Sequence, residues 1–251
     1  MKKSTYVIIA VVAGIIVVNY LSKKDKTSSD GAPPEAESVK GVWPPASADE
    51  QPVAMAPNLT AKNYYIVFDG SGSMLDPDCA DGSNKSEVAK KAVGDFSKSI
   101  PKDANLGLLV FDTQGITERV PLGTENREVF TEQVNIVSPG GSTPLRSAIT
   151  QAVAQLTEQG RRQFGYGEYH LVVVTDGEAN PNSENPASIV AQTLESSPIV
   201  IHTIGFCIGE THSLNQKGRT IYHPANNPGE LAQGLKEVLA ESEQFDVKAF
   251  Q

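Results

Sequence analysis

At 251 residues, with 39% hydrophobic and 20% charged side chains, the chain can bury one substantial core and is too apolar to be a disordered polymer. A formal net charge of -9 provides no basic field to gather phosphate backbones, which argues against a nucleic-acid partner. The two cysteines, Cys79 and Cys207, exclude a disulfide framework and a CxxC metal cluster, leaving one bridge or two free thiols.

In chain order, Met-Lys-Lys precedes an apolar run from Tyr6 to Val18 that extends to Leu21 with only Asn19 breaking it. The run is short for a membrane span, which needs roughly 17–25 residues, and its length would also suit the core of a cleaved secretory signal, but no small-x-small cleavage site follows it. Residues 1–21 are therefore expected to be a retained anchor that meets the membrane through residues 6–21. Lysines flank it on both sides, so charge alone does not orient it. Residues 22–62 are rich in Ser, Ala, Pro and Glu and read as a flexible tether in which Trp43 is the one large aromatic. This spacer and a possible Cys79–Cys207 bridge suit an oxidising exterior, giving a single-pass protein whose domain lies on the extracytoplasmic side.

The folded part, residues 63–245 followed by a tail at 246–251, opens at Tyr64. There Tyr-Tyr-Ile-Val-Phe forms the continuous apolar run of a strand buried on both faces. Leu106 to Phe111, Leu171 to Thr175 and Ile199 to Phe206 repeat the pattern. Helical stretches lie between them. Asn84 caps one that has Glu87 three residues on, Pro144 occupies a first helical position before Leu145 and Ile149, and Asn227, Pro228 and Glu230 open the last. Strands alternating with helices imply parallel strands joined by right-handed crossovers, an α/β sheet sandwiched by helices. Its ligand site belongs at the carboxyl ends of the strands, in the loops after Phe68, Phe111, Val137 and Thr175.

The first of these loops is Asp69-Gly70-Ser71-Gly72-Ser73, with oxygen-bearing side chains at alternate positions and glycines that permit tight turns. Gly140-Gly141-Ser142-Thr143-Pro144 offers Thr143, and Thr175-Asp176-Gly177 offers Asp176. Hard cations such as Mg²⁺, Mn²⁺ or Ca²⁺ take such oxygen ligands; Mg²⁺ wants an octahedron at about 2.1 Å. Asp-x-Ser-x-Ser, a later Thr before Pro and a later Thr-Asp-Gly resemble the metal-ion-dependent adhesion site of von Willebrand factor type A domains. That resemblance implies a doubly wound, Rossmann-like, mostly parallel six-stranded sheet with helices on both faces and one antiparallel edge strand, placed at Glu118 to Leu122. It further implies that Ser71, Ser73 and Thr143 touch a divalent cation directly or through water, while Asp69 and Asp176 often act through waters they orient. Five side chains leave an octahedral position to solvent, so the expected partner is a protein that presents an Asp or Glu carboxylate. The function implied is a membrane-tethered, metal-dependent protein-binding module for adhesion or assembly, not an enzyme. A regulatory subunit of a metal-handling or ATP-driven complex, with a cytoplasmic domain, is the second reading.

Enzymatic readings find less support. A dinucleotide loop lacks its third glycine at Leu75, and an aspartyl-phosphate site would want a carboxylate where Ser71 stands. Gly205-Phe206-Cys207-Ile208-Gly209 fits a nucleophile elbow, making a cysteine hydrolase conceivable, but His212 and His223 precede the only late aspartate, Asp246. His170, His202, His212 and His223 show no ligand spacing and read as structural. Asp112, after the second strand, is a weak candidate for orienting a water behind the metal ligands, and Glu178 could tune the local potential. Gly160 to Glu168 reads as a solvated loop.

Overall fold

The computed structural model describes residues 42–46 and 53–243. The anchor proposed at residues 1–21 and most of the tether lie outside them. Among the described residues, no helix is long and apolar enough to cross a membrane.

Six strands form one sheet: β1 (Lys62–Asp69), β2 (Asn105–Asp112), β3 (Gly115–Gly123), β4 (Glu168–Thr175), β5 (Val200–Phe206) and β6 (Ile221–Ala225). Their order is β3-β2-β1-β4-β5-β6, and all neighbours are parallel except the β2–β3 hairpin. The helices are α1 (Lys85–Ser99), α2 (Arg127–Asn135), α3 (Leu145–Arg162), α4 (Ala187–Ser196) and α5 (Pro228–Glu243). A short 3₁₀ turn, Gly72–Leu75, follows β1.

Alternation along β1 divides the core. Tyr64, Ile66 and Phe68 face one side, with Val93 and Phe96 of α1, Phe130 of α2 and Leu231 and Leu235 of α5. Tyr65 and Val67 face the other, with Leu145, Ile149 and Leu156 of α3 and Val190 of α4. Both faces of the central strands are therefore covered, which is why their sequences are apolar without alternation.

The caps follow from local chemistry. Asn84 Oδ1 accepts from the Glu87 N–H (2.9 Å) at the start of α1, and Asn227 Oδ1 does the same for Glu230 (2.9 Å) at the start of α5. Pro144 lies one position earlier than the sequence pattern suggests, at the cap of α3, and Leu145 is the first helical residue. The edge strand is longer than its expected core, Glu118 to Leu122. Strand β6 and helices α2 and α4 have no counterpart among the sequence runs, because each is short and part-polar.

Parts of the stretch read as a tether are packed. Trp43 lies edge-on to Tyr169 with ring centroids 4.6 Å apart, over Gly160, whose missing side chain leaves room for the indole. The Arg161 guanidinium donates to Pro45 O (2.9 Å), the Ala56 N–H to Arg162 O (2.9 Å), and Gln163 Nε2 to Asn58 O (3.2 Å) and Ala61 O (3.1 Å). The last turn of α3 and the start of the loop after it are thus a docking face for the incoming chain, although Phe164 and Tyr166 of the loop remain exposed.

Candidate metal centre

Strand order reverses across β1: the chain runs outward to β2 and β3, then returns to β4 on the other side. Crossovers diverge at that point and leave a crevice beyond the carboxyl ends of β1 and β4. Asp69 ends β1 and Thr175 ends β4, so the topology delivers Asp69 and Asp176 to the same crevice.

The first loop is held by its own aspartate. Asp69 is fully buried; its Oδ1 accepts from the Ser71 N–H (2.7 Å) and its Oδ2 from the Thr175 hydroxyl (2.6 Å). The Ser71 and Ser73 hydroxyls are 3.1 Å apart, and Ser73 Oγ donates to Asp176 Oδ1 (2.7 Å). One continuous chain of contacts therefore joins Asp69, Ser71, Ser73, Asp176 and Thr175. The third loop is laid against the first by Gly72 N–H to Gly141 O (3.3 Å) and Gly140 N–H to Gly70 O (2.8 Å). Thr143 is buried in it and paired through its backbone with Asn180, Thr143 N–H to Asn180 O (3.0 Å) and Asn180 N–H to Thr143 O (3.1 Å). Gly70 is required sterically: a Cβ there would stand 2.8 Å from Asp112 Cβ and from Val137 Cγ1.

These residues suit a hard dication. The donors are all carboxylate and hydroxyl oxygens, the class that Mg²⁺, Mn²⁺ and Ca²⁺ prefer. Two buried carboxylates, Asp69 and Asp176, share the crevice. Burial pushes the Asp69 carboxyl up to about 6 and the Asp176 charge adds to the rise, against the lowering effect of the Ser71 and Thr175 hydrogen bonds.

Lys85 was not foreseen as part of this site. Its Nζ lies 2.9 Å from Asp176 Oδ2 and 3.9 Å from Asp76 Oδ2, and the side chain is 7% exposed. As the first residue of α1 it places a cation at the positive end of a helix, a local misfit that was the available sequence signal. Asp176 compensates it.

His212 and Glu178 brace the same loop. His212 Nε2 donates to Gly177 O (2.9 Å) while its Nδ1 accepts from the Leu214 N–H (3.1 Å). Glu178 accepts from the Ser213 N–H (2.9 Å) and hydroxyl (2.7 Å). Asp112 is engaged elsewhere. Both its oxygens accept from Arg119 (3.0 Å each), with further bonds from the Gln114 N–H (2.9 Å) and Ser138 N–H (3.2 Å), so it pins the β2–β3 hairpin to the loop before Gly140 and its charge belongs to Arg119.

Cys207 is bonded to Cys79 across 128 residues, fastening the end of β5 to the segment after the first loop. A hydrolase built on Cys207 is thereby overturned, since the elbow holds no free thiol.

Several known proteins resemble this chain in sequence or in fold. Residues 64–178, from β1 to the loop after β4, match the von Willebrand factor type A domain family model. Protein YwmC of Bacillus subtilis is 27% identical over 203 residues, covering 74% of this chain and 85% of its own length. Among solved structures, the pilus adhesin SpaC from Lactobacillus rhamnosus GG superposes with a TM-score of 0.56 at 14% identity, over 75% of this chain and 31% of that one. The PilB minor pilin from Streptococcus sanguinis gives 0.58 at 12% identity, over 75% of this chain and 63% of that one. The chain thus spans less than two thirds of either pilus protein, and at these identities the likeness is one of fold.

Proposed function

We propose, for a chain whose fold is that of von Willebrand factor type A domains, that it is a metal-dependent protein-binding module engaging an Asp or Glu of a partner protein. The observation that carries this is the linked set Asp69, Ser71, Ser73 and Asp176, oxygen donors from separate loops meeting at the switch point of the sheet. Asp69, Ser71, Ser73, Thr143 and Asp176 would hold Mg²⁺, Mn²⁺ or Ca²⁺. The bound cation would supply a Lewis-acidic position for an incoming carboxylate.

The chain's own residues do the rest. Asp69 orders the Ser71 turn, Ser73 fixes the rotamer of Asp176, and the half-exposed Leu75 gives an apolar contact beside the site. The catalytic readings offer no comparable set. SpaC is a pilus adhesin and PilB a minor pilin, and that context agrees with adhesion or assembly. The Cys79–Cys207 bridge supports a domain outside the cytoplasm, tethered through residues 6–21, over a cytoplasmic regulatory subunit.

Divalent-ion binding by the full chain, followed calorimetrically, is expected for Mg²⁺ or Mn²⁺ and is lost in Asp69→Ala. Capture of a membrane or surface protein should then need the ion, fail in chelator, and fail with Asp69→Ala. Equal capture by wild type in chelator and by Asp69→Ala would dispose of the proposal.

A further inference from the structure

A second cluster lies at the other end of the sheet. His202 is the third residue of β5, His223 the third of β6, and Glu241 is in the last turns of α5, which runs back toward the amino ends of these strands. One ligand atom from each of the three lies within 4.8 Å of the others, with His202 Nδ1 3.6 Å from Glu241 Oε2.

The hydrogen bonding identifies which atoms are free. His202 Nε2 is taken by His170 Nδ1 (3.2 Å), leaving Nδ1. His223 Nδ1 is taken by Glu237 Oε2 (2.9 Å), leaving Nε2. His202 Nδ1, His223 Nε2 and Glu241 Oε2 are all buried atoms with no hydrogen-bond partner. Leaving even one such atom orphaned is costly, and three orphans aimed at one another have a common missing partner.

A proton does not serve. His202 Nδ1 and Glu241 Oε2 stand 3.6 Å apart, beyond hydrogen-bond reach, so a proton on either atom does not satisfy both. Neutral imidazole is the form that ligates metals. Ligands about 2.0–2.2 Å from a tetrahedral zinc stand roughly 3.4 Å apart, close to the His202–Glu241 separation. Glu241, whose side chain is 40% exposed, has room to adjust toward the two imidazoles. Both histidines also have the outer partners that metal-bound imidazoles use, Glu237 behind His223 and His170 behind His202, with Glu168 3.6 Å beyond His170. A cleft of roughly 310 Å³, lined by Glu168, His170, Val200, His202 and Glu241, gives a path to solvent.

We infer that His202, His223 and Glu241 form a site for a borderline transition-metal dication of the zinc class, separate from the oxygen-only crevice at Asp69. Two imidazoles and one carboxylate leave a fourth tetrahedral position to water. By bridging β5, β6 and α5, the ion ties the last helix to the sheet edge.

The test titrates Co²⁺ and Zn²⁺ into the detergent-solubilised full chain with Mg²⁺ in excess to fill the other crevice. One equivalent of Co²⁺ is expected to bind with the visible d–d absorption of a tetrahedral imidazole site, and Zn²⁺ to displace it. His223→Ala and Glu241→Gln, both at partly exposed positions, should weaken binding by about a hundredfold or more, and Glu237→Gln by about tenfold. Asp69→Ala should leave the Co²⁺ spectrum unchanged, which separates this site from the proposed adhesion centre. Absence of a tetrahedral Co²⁺ spectrum in wild type would overturn the inference, as would undiminished binding in folded His223→Ala and Glu241→Gln proteins.

Discussion

Lys85→Met removes an ammonium from the crevice while keeping an apolar stem of similar reach. The Lys85 and Asp176 side chains are 7% and 0% exposed and 2.9 Å apart, so the pair belongs to the buried regime and not to surface pairs worth about 0–1 kcal/mol. Breaking one partner of a buried pair costs about 3–5 kcal/mol, because the other charge is left without compensation. Ser73 still donates to Asp176 Oδ1, which places the loss near the low end, about 3 kcal/mol, or on the order of 10 °C in Tm for a domain of this size. That is the expectation in chelator. With Mg²⁺ the gap closes: the metal supplies the missing charge, so the variant should recover most of its stability and bind Mg²⁺ on the order of a hundredfold more tightly than wild type. Thermal unfolding by circular dichroism, with and without Mg²⁺, and calorimetric titration read both arms. Should Lys85→Met stay equally destabilised in saturating Mg²⁺, with unchanged affinity, Lys85 would not be standing where a cation's charge is wanted.

Other outcomes follow from the same geometry. In chelator, Asp69 is raised from 3.8 to about 6, so its protonated form favours the folded state and its contribution is fully present below pH 4 and lost as pH rises through 6. Asp69→Asn should therefore gain on the order of 2–3 kcal/mol over wild type at pH 7 and nothing at pH 3.5, read from urea melts at both pH values; parallel curves would exclude the buried carboxylate as the cause. Closing a loop of 128 residues gives the Cys79–Cys207 bridge about 5 kcal/mol in the chain-entropy model. Both half-cystines have positive φ (60° and 64°), and that backbone strain reduces the net gain. Reduction should lower the denaturant midpoint accordingly, and an unmoved midpoint would contradict the model. Gly70→Ala forces a methyl against Asp112, Val137 and the Phe111 carbonyl, so it should cost about 1–3 kcal/mol and weaken Mg²⁺ binding together. Trp43→Ala is expected to cost about 2 kcal/mol for a half-buried indole and to expose Arg161 to trypsin, whereas unaltered melting would show that the docked segment adds nothing.

What the sequence made legible depends on the range over which each interaction acts. The strands from Tyr64, Leu106, Leu171 and Ile199 could be read because a doubly covered parallel sheet demands unbroken apolar runs, and Asn84 and Asn227 because a cap and its target lie within a few residues. Strand β6, Ile-Tyr-His-Pro-Ala, is an edge strand with a proline and a histidine; only its pairing with β5 makes it a strand. Short helices α2 and α4 depend in the same way on the sheet they cover. At the crevice, Asp69, Ser71 and Ser73 announce themselves by spacing, but the partner of Asp176 is 91 residues away in sequence, and only the fold brings Lys85 to it. Asp112 shows the converse. Its place after a strand made it a candidate for the site, yet hairpin register brings Arg119 to both its oxygens, and an aspartate so compensated has little attraction left for a cation. Histidines 202 and 223 likewise show no ligand spacing along the chain, since adjacent parallel strands joined by a long excursion convert a separation of 21 residues into neighbouring positions on one face. Liganding patterns that arise from strand register and not from helix period escape a reading by spacing, and in a doubly wound sheet they are the ones to compute once strand order is known.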